Sequence, residues 1–465
     1  MHWPVANMGS PTMFWGSSGA RWMCWMAWVA ALAFGIGAAA QGNWPEWRGP
    51  TQNGIGEATN LPEAWSDTEN IVWKTPLPSW SGGTPVIWGD RIFLTSPSQV
   101  EGESLEPVDG RRRDISNSPG GQKLLLICIG REDGTILWQR ELDEGNKLRR
   151  KQNDSSPSPV TDGAHVWAIA GTGALVAFDM AGERVWSKNL QTEYGAFGQQ
   201  FGYASSPILY NGKLVLQVLH GFFTDDPSYV LALDALTGAE RWRQERPTDA
   251  VVESPDSYTT PVLLRHEDKV QVVISGGDYV TGHDPDSGAE IWRAGGLNPK
   301  KITVGRIIAS PVAVGGMVYA PSRKEPVLAL RAGGVGDITT SHLAWKWDAN
   351  DGPDVPTPAC DGTYFYMVDD RGVITCLDAK TGSVIWGPER TARGTVSASP
   401  LVADGKIYIT NEDAVTTVLA AGPAFKTLST NPLDGEYTLS SPVVSGNRLF
   451  IRTALYLYCI GKKTP

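Results

Sequence analysis

The strongest constraint on this chain is a recurring pair: Ser or Thr followed by Pro, an apolar residue and a short turn. It occurs eight times, at Thr84-Pro85, Ser158-Pro159, Ser206-Pro207, Thr260-Pro261, Ser310-Pro311, Thr357-Pro358, Ser399-Pro400 and Ser441-Pro442. Proline lacks an N–H and is confined to strand starts and edges, and it holds the preceding residue extended. Each pair leads into a tight-turn dipeptide, for example Asp162-Gly163, Asn211-Gly212 or Asp404-Gly405. Such dipeptides accept the positive φ that two-residue hairpins require. Each unit therefore opens with a β-hairpin. The chain holds 52 Gly and 32 Pro in 465 residues, and beyond residue 40 no stretch free of both exceeds 16 residues, 406 to 421. Long helices and coiled coils are thereby excluded.

A second pattern closes each unit. Ala232-Leu233-Asp234-Ala235-Leu236-Thr237-Gly238-Ala239-Glu240-Arg241-Trp242 carries a small residue, an Asp, a Thr-Gly turn and a Trp. Asp284 to Trp292 and Asp378 to Trp386 keep the spacing, and Asp179 to Trp186 is one residue shorter. Trp345 follows a longer connection, and Phe425 is read as taking the Trp place in the penultimate unit. Four short strands repeated eight times predict an all-β, eight-bladed propeller of four-stranded antiparallel blades. Trp73 precedes the first Pro anchor, while the last anchor, Pro442, is followed by strands but no Trp. The N-terminal strand is thus expected to complete the C-terminal blade and close the ring, removing a free edge.

The closing pattern resembles the tryptophan-docking motif of pyrroloquinoline quinone (PQQ) repeats, A-x-D-x-x-T-G-x-x-x-W, which Ala232, Asp234, Thr237, Gly238 and Trp242 match. The chain is similar to bacterial PQQ-binding-like β-propeller proteins, a group that includes relatives of the outer-membrane assembly lipoprotein BamB. The resemblance implies either a scaffold that binds an envelope partner or a PQQ-dependent dehydrogenase. Such dehydrogenases imply adjacent cysteines under the quinone and calcium ligands, and no two cysteines here are adjacent. Cys128, Cys376 and Cys459 fall instead in the small-residue slot held elsewhere by Ala177, Ala232, Gly282 and Ala329, on strands too far apart for a disulfide. No haem-attachment, H-E-x-x-H, G-x-S-x-G or P-loop motif is present. No catalytic residue, metal site or cofactor is therefore expected, with PQQ plus calcium as the alternative.

The first forty residues lack Asp, Glu and Lys, contain one Arg, and end Ala38-Ala39-Ala40 after an apolar run from Trp22. Residues 1–40 read as an export signal, 41–70 as an N-terminal extended segment and 71–465 as the propeller. An uncleaved anchor is the competing reading. The expected location is periplasmic or in the cell envelope, as a monomer without a membrane span once the signal is removed. The net charge of -10 argues against nucleic-acid binding.

Alternating strand direction places the short turns on one face, and the second-to-third loops and inter-blade connections on the other. The second face carries the long segments, so binding is expected there. The candidate ligand-binding residues are Trp80, Tyr203, Tyr258, Asp278, Arg306, Arg323, Asp370, Glu412 and Arg452. The alternative is that these groups satisfy one another around a water-filled channel. Arg111-Arg112-Arg113 reads either as part of a solvated loop or as a grip for an acidic partner, and if it meets Lys147, Arg149, Arg150 and Lys151 in space that face becomes locally positive. The expected partner is an envelope protein or polymer. A carbohydrate-binding propeller is a further alternative, resting on exposed aromatics such as Trp80.

Overall fold

Eight antiparallel four-stranded blades are arranged so that in seven the sheet order equals the chain order, while the eighth takes its outer strand from the N-terminal side of the chain; two blades gain a short parallel strand at one edge. The computed structural model describes residues 42–66, 68–100, 117–323, 325–434 and 437–462. The expected export segment and Arg111-Arg112-Arg113 lie outside the described residues. Residues Gly42–Pro465 form one unit. The inner strands of blades 1 to 8 are Val86–Trp88, Val160–Thr161, Ile208–Tyr210, Val262–His266, Val312–Val314, Ala359–Cys360, Leu401–Ala403 and Val443–Ser445. In blade 8 the outer strand is Ile71–Pro76, paired antiparallel with Tyr456–Gly461, so Trp73 faces Cys459. Among the described residues no helix is long and apolar enough to cross a membrane.

The small-residue slot has a simple cause. Cys128, Ala177, Ala232, Gly282, Ala329, Cys376 and Cys459 each lie directly across the ladder from a Trp, respectively Trp138, Trp186, Trp242, Trp292, Trp345, Trp386 and Trp73. A larger side chain there would collide with the indole or displace it. Six of these seven indoles then reach the next blade. Trp186 Nε1 donates to Ala235 O at 2.9 Å, Trp242 Nε1 to Pro285 O at 3.1 Å and Trp345 Nε1 to Ala379 O at 2.9 Å. A Cβ on the turn glycine Gly238 would sit 2.8 Å from the Trp186 ring, so this position must stay bare as well as adopt φ +70. The Asp side chains shape these turns: Asp234 Oδ1 accepts from the Leu236 and Thr237 amides at 3.1 and 2.8 Å.

Two parts of the reading need correction. In blade 7 the residue opposite the small slot is Ser429, which faces Val418, and not Phe425. Phe425 precedes the outer strand and packs on Trp386 at 5.5 Å. The missing indole is supplied from outside the repeat: Trp65 stacks on Tyr408, its amide donates to Asn431 Oδ1 at 3.2 Å, and it joins the core cluster shared with blade 8. The second correction concerns blade 4, where Trp292 donates to Gln271 Oε1 at 2.8 Å in its own blade. A Cβ at Gly282 would lie 2.2 Å from that ring, so the indole is folded back over its own sheet. Gly336–Asp337, from the long connection in blade 5, runs parallel along Trp292–Arg293 and covers the exposed edge.

The Ser/Thr-Pro pairs form a closed circuit of hydrogen bonds. The amide of each Ser or Thr donates to the hydroxyl of its counterpart in the next blade, from Thr84 through Ser158, Ser206, Thr260, Ser310, Thr357, Ser399 and Ser441 back to Thr84, at 2.8 to 3.3 Å. Proline fixes the backbone that aims each amide, which is why the pair recurs as a unit. A further clamp crosses the join between blades 8 and 1. The buried Arg452 guanidinium donates to Gly83 O at 3.1 Å, Thr95 O at 2.7 Å and Ser79 O at 3.3 Å.

Candidate functional site

Residues 42–56 run inside the ring. Trp44 bridges Ile87 of blade 1, Pro45 O accepts from Thr161 of blade 2, and Glu46 lies beside Leu209 of blade 3. Gln52 Oε1 accepts from Leu263 of blade 4, Asn53 O from Cys360 of blade 6, and Ile55–Gly56 pairs in parallel with Val402–Ala403 of blade 7. The segment thus tours the inner wall in blade order. Its hub is Arg48, buried, with Nη1 donating to Pro400 O at 2.7 Å and Nη2 to Pro358 O at 2.9 Å. Burial without a carboxylate partner lowers the Arg48 pKa to about 9. A Cβ on Gly54, at φ +76, would overlap the Arg48 guanidinium, so glycine is obligatory there. At this level the centre of the ring is occupied by protein.

Beyond this segment, on the side of the inter-blade connections, a cavity of about 590 Å³ opens, walled by the connections of several blades. Trp47 lines it, as do seven hydroxyls of the Ser/Thr circuit: Thr84, Ser158, Ser206, Thr260, Thr357, Ser399 and Ser441. Tyr258, Arg306, Arg323 and Asp370 of the expected set also line it. Arg306 Nη1 donates to Glu253 Oε1 at 2.5 Å, and the Arg306 guanidinium lies 5.0 Å from the centre of the Phe201 ring. The Tyr258 hydroxyl accepts the Phe201 amide at 3.1 Å. Arg323 is 3.6 Å from Asp354 and donates to Val304 O at 2.8 Å. Asp370 accepts the Val355 amide at 3.1 Å, and burial together with neighbouring Asp354 raises its pKa. Glu412 is not itself in the lining but takes two residues that are, Lys151 Nζ at 2.8 Å and Ser397 Oγ at 2.5 Å.

The other four expected residues do not line the cavity. Trp80 is 2% exposed, donates to Ser118 O at 2.8 Å and packs edge-on against Tyr437. The exposed aromatic on which the carbohydrate alternative rested is therefore a buried loop anchor. Tyr203 is buried against Phe197, with ring centres 4.7 Å apart. Asp278 lies apart from the cavity lining, 3.3 Å from Asn298 Nδ2 and 3.9 Å from Lys301, and burial raises its pKa. Arg452 is the clamp between blades 8 and 1. Of the basic residues singled out, Arg149, Arg150 and Lys151 line the cavity. Sequence reasoning missed Trp47 and the hydroxyl circuit. Trp47 stands in Trp44-Pro45-Glu46-Trp47-Arg48-Gly49-Pro50, a dense Trp/Gly/Pro run outside the repeat register, and that was the available signal.

Residues 122–342 and 331–426 match the family model described as outer membrane protein assembly factor BamB, which spans more than half of the chain. The chain belongs to this family. A BamB from Yersinia pestis is 21% identical over 401 residues, 83% of this chain and 92% of the relative. A tetrathionate hydrolase from Acidithiobacillus ferrooxidans is 21% identical over 437 residues, 88% and 79% of the two chains. The crystal structure of BamB from Moraxella catarrhalis is similar with a TM-score of 0.56 at 16% identity, covering 84% of this chain and 99% of that one. A europium-containing methanol dehydrogenase gives a TM-score of 0.63 at 12% identity, covering 89% and 90%. These solved structures share the fold.

Whether this BamB-family chain could hold a calcium-bound quinone is tested by its donor set. The cavity carboxylates Glu253 and Asp354 face Arg306 and Arg323, Asp370 accepts the Val355 amide, and the neighbouring Glu412 is taken by Lys151 and Ser397. Among the described residues no group of three or more His, Cys, Asp or Glu is arranged to hold a metal. The four described cysteines are free and buried, and burial pushes the Cys128, Cys360, Cys376 and Cys459 thiols up to about 12. Those residues do not fit that group.

Proposed function

We propose that this protein is a non-catalytic, exported propeller scaffold that docks a protein partner in the cell envelope through the face bearing the inter-blade connections. One observation carries the reading. Two adjacent connections, 251–254 and 302–305, are pinned together by Glu253 N to Thr303 O at 2.9 Å and Ser254 Oγ to Ile302 O at 2.8 Å. They display Val251 and Val252 at 57% and 55% exposure, beside exposed Ile302 and Val304. On the neighbouring blade 3 loop Phe223 is 69% exposed, and that loop is tied to the connection by Phe222 N to Asp256 Oδ1 at 3.2 Å. Val252 has φ +62, a conformation that a β-branched side chain rarely adopts. Apolar side chains held out to solvent on rigid loops mark a protein interface. The names of the BamB relatives, as outer-membrane assembly factors, support the same reading.

The test is a photo-crosslinkable residue placed in living cells at position 223, 251 or 304, with position 212, in a short turn of the opposite face, as control. Crosslinking to one envelope protein from the three patch positions alone is expected. Equal labelling from position 212, or none from the patch, would overturn the reading. Export is checked by fractionation, where recovery with the cytoplasm would contradict it. A PQQ-dependent dehydrogenase is the competing reading, and the cavity's paired carboxylates speak against it. Titration with PQQ and calcium, followed by absorbance and dye-linked alcohol oxidation, separates the two.

A further inference from the structure

The cavity behind this face has a composition of its own. Trp47 projects into it from the internal segment, where both flanking residues are committed elsewhere: Arg48 to the blade 6 and 7 carbonyls, and Glu46 to burial beside Gln52 and Leu209. Trp47 is half-buried and lines the cavity. Around it stand seven residues of the circuit, each hydroxyl accepting an amide from the preceding blade. None of the seven hydroxyls donates to another described group, which leaves each an O–H to offer. The charges are matched. Arg149, Lys151, Arg306 and Arg323 each lie within 4 Å of a carboxylate, respectively Asp154, Glu412, Glu253 and Asp354. The lining also holds Arg150, whose guanidinium lies 5.5 Å from the centre of the Phe201 ring, and Asp370, one formal charge of each sign.

We infer that the cavity binds a neutral pyranoside, stacked by its C–H face on Trp47. A site with an aromatic platform, a ring of hydroxyl donors and guanidinium–carboxylate pairs offers donors and acceptors side by side, the pattern that complements vicinal hydroxyls. Its balanced charge gives an anion no net attraction, which sets a sugar above a phosphate or an aromatic acid. The volume of about 590 Å³ suits a short oligosaccharide end. This site stands on Trp47 and the hydroxyl circuit, whereas the carbohydrate alternative drawn from the sequence stood on Trp80. It holds whether or not a protein docks outside.

Saturation-transfer NMR on the intact protein with maltotriose, cellotriose and chitotriose, and with inorganic phosphate and benzoate as probes of other chemistry, tests it. Transfer to the ring C–H protons of at least one trisaccharide is expected, with affinity falling about tenfold or more in Trp47→Leu, because an aromatic platform is lost. Asp370→Asn, on the wall and away from the internal segment, is expected to weaken the same trisaccharide several-fold. No transfer to any trisaccharide, transfer to benzoate or phosphate alone, or unchanged binding in both variants would overturn the proposal. Should Trp47→Leu unfold at lower temperature than the wild type, Asp370→Asn alone decides, and unchanged binding in it overturns the proposal.

Discussion

Glu46 shows how one residue can couple the internal segment to pH. It is buried, and although Gln52, the Leu209 backbone and Arg265 favour the carboxylate, burial outweighs them and raises its pKa from near 4.5 to about 8. Below the lower value both folded and unfolded chains are protonated there, and nothing is lost. Between the two the unfolded chain ionises freely while the folded chain resists, so stability falls as pH rises towards 8 and levels off above it. The expected slope amounts to a few kcal/mol in all, and Glu46→Gln should flatten it in urea titrations run across that range. At the hub, Arg48→Met leaves the Pro358 and Pro400 carbonyls without their donor and should cost about 2 to 4 kcal/mol in the same measurement. Gly54→Ala should lose a similar amount, because its methyl would occupy the space of that guanidinium.

At the scale of the element, the eight hydroxyls act as one belt. Replacing Ser206 by Ala strands the Ser158 amide, which has no other acceptor, and should cost about 1 to 3 kcal/mol by chemical denaturation. Trp65→Ala empties the wedge between blades 7 and 8 and should cost about 3 to 5 kcal/mol, more than Phe425→Ala at the position that the repeat alone would suggest. The blades themselves were legible because their signals are local: a small residue, an Asp turn and a Trp recur at fixed spacing, and each is explained by contacts within one blade or with the next. The reason for the Ser/Thr-Pro pair was not legible, since a hydroxyl's partner about 50 residues away leaves no mark inside one repeat. Among the expected site residues, Tyr258, Arg306, Arg323 and Asp370 line the cavity. Trp80 and Tyr203 are buried because the position just before an inner strand also lies at the seam between blades, where large side chains pack instead of facing the axis, and Arg452, at the end of a second strand, turns to the carbonyls of blade 1.

The whole molecule departs most from a plain repeat array. In such arrays each unit touches only its neighbours, and stability is close to a sum of local terms. Here residues 42–56 touch blades across the ring, with partners as distant in sequence as Arg48 and Pro400. Blades 4 and 8 should therefore share one unfolding free energy in native-state hydrogen exchange, and Arg48→Met should let them separate. This tie was invisible in the sequence because residues 42–56 contain no repeat: each side chain in that tour of the wall meets a different blade once.

The tour also joins the two ends of the propeller. The stretch that lies along the inner wall passes the Asp404 turn, where the Leu61 amide donates to Asp404 Oδ2 at 2.9 Å, and goes on to become the last blade's outer strand. One continuous run of chain therefore serves as both axle and latch, so loosening either should loosen the other.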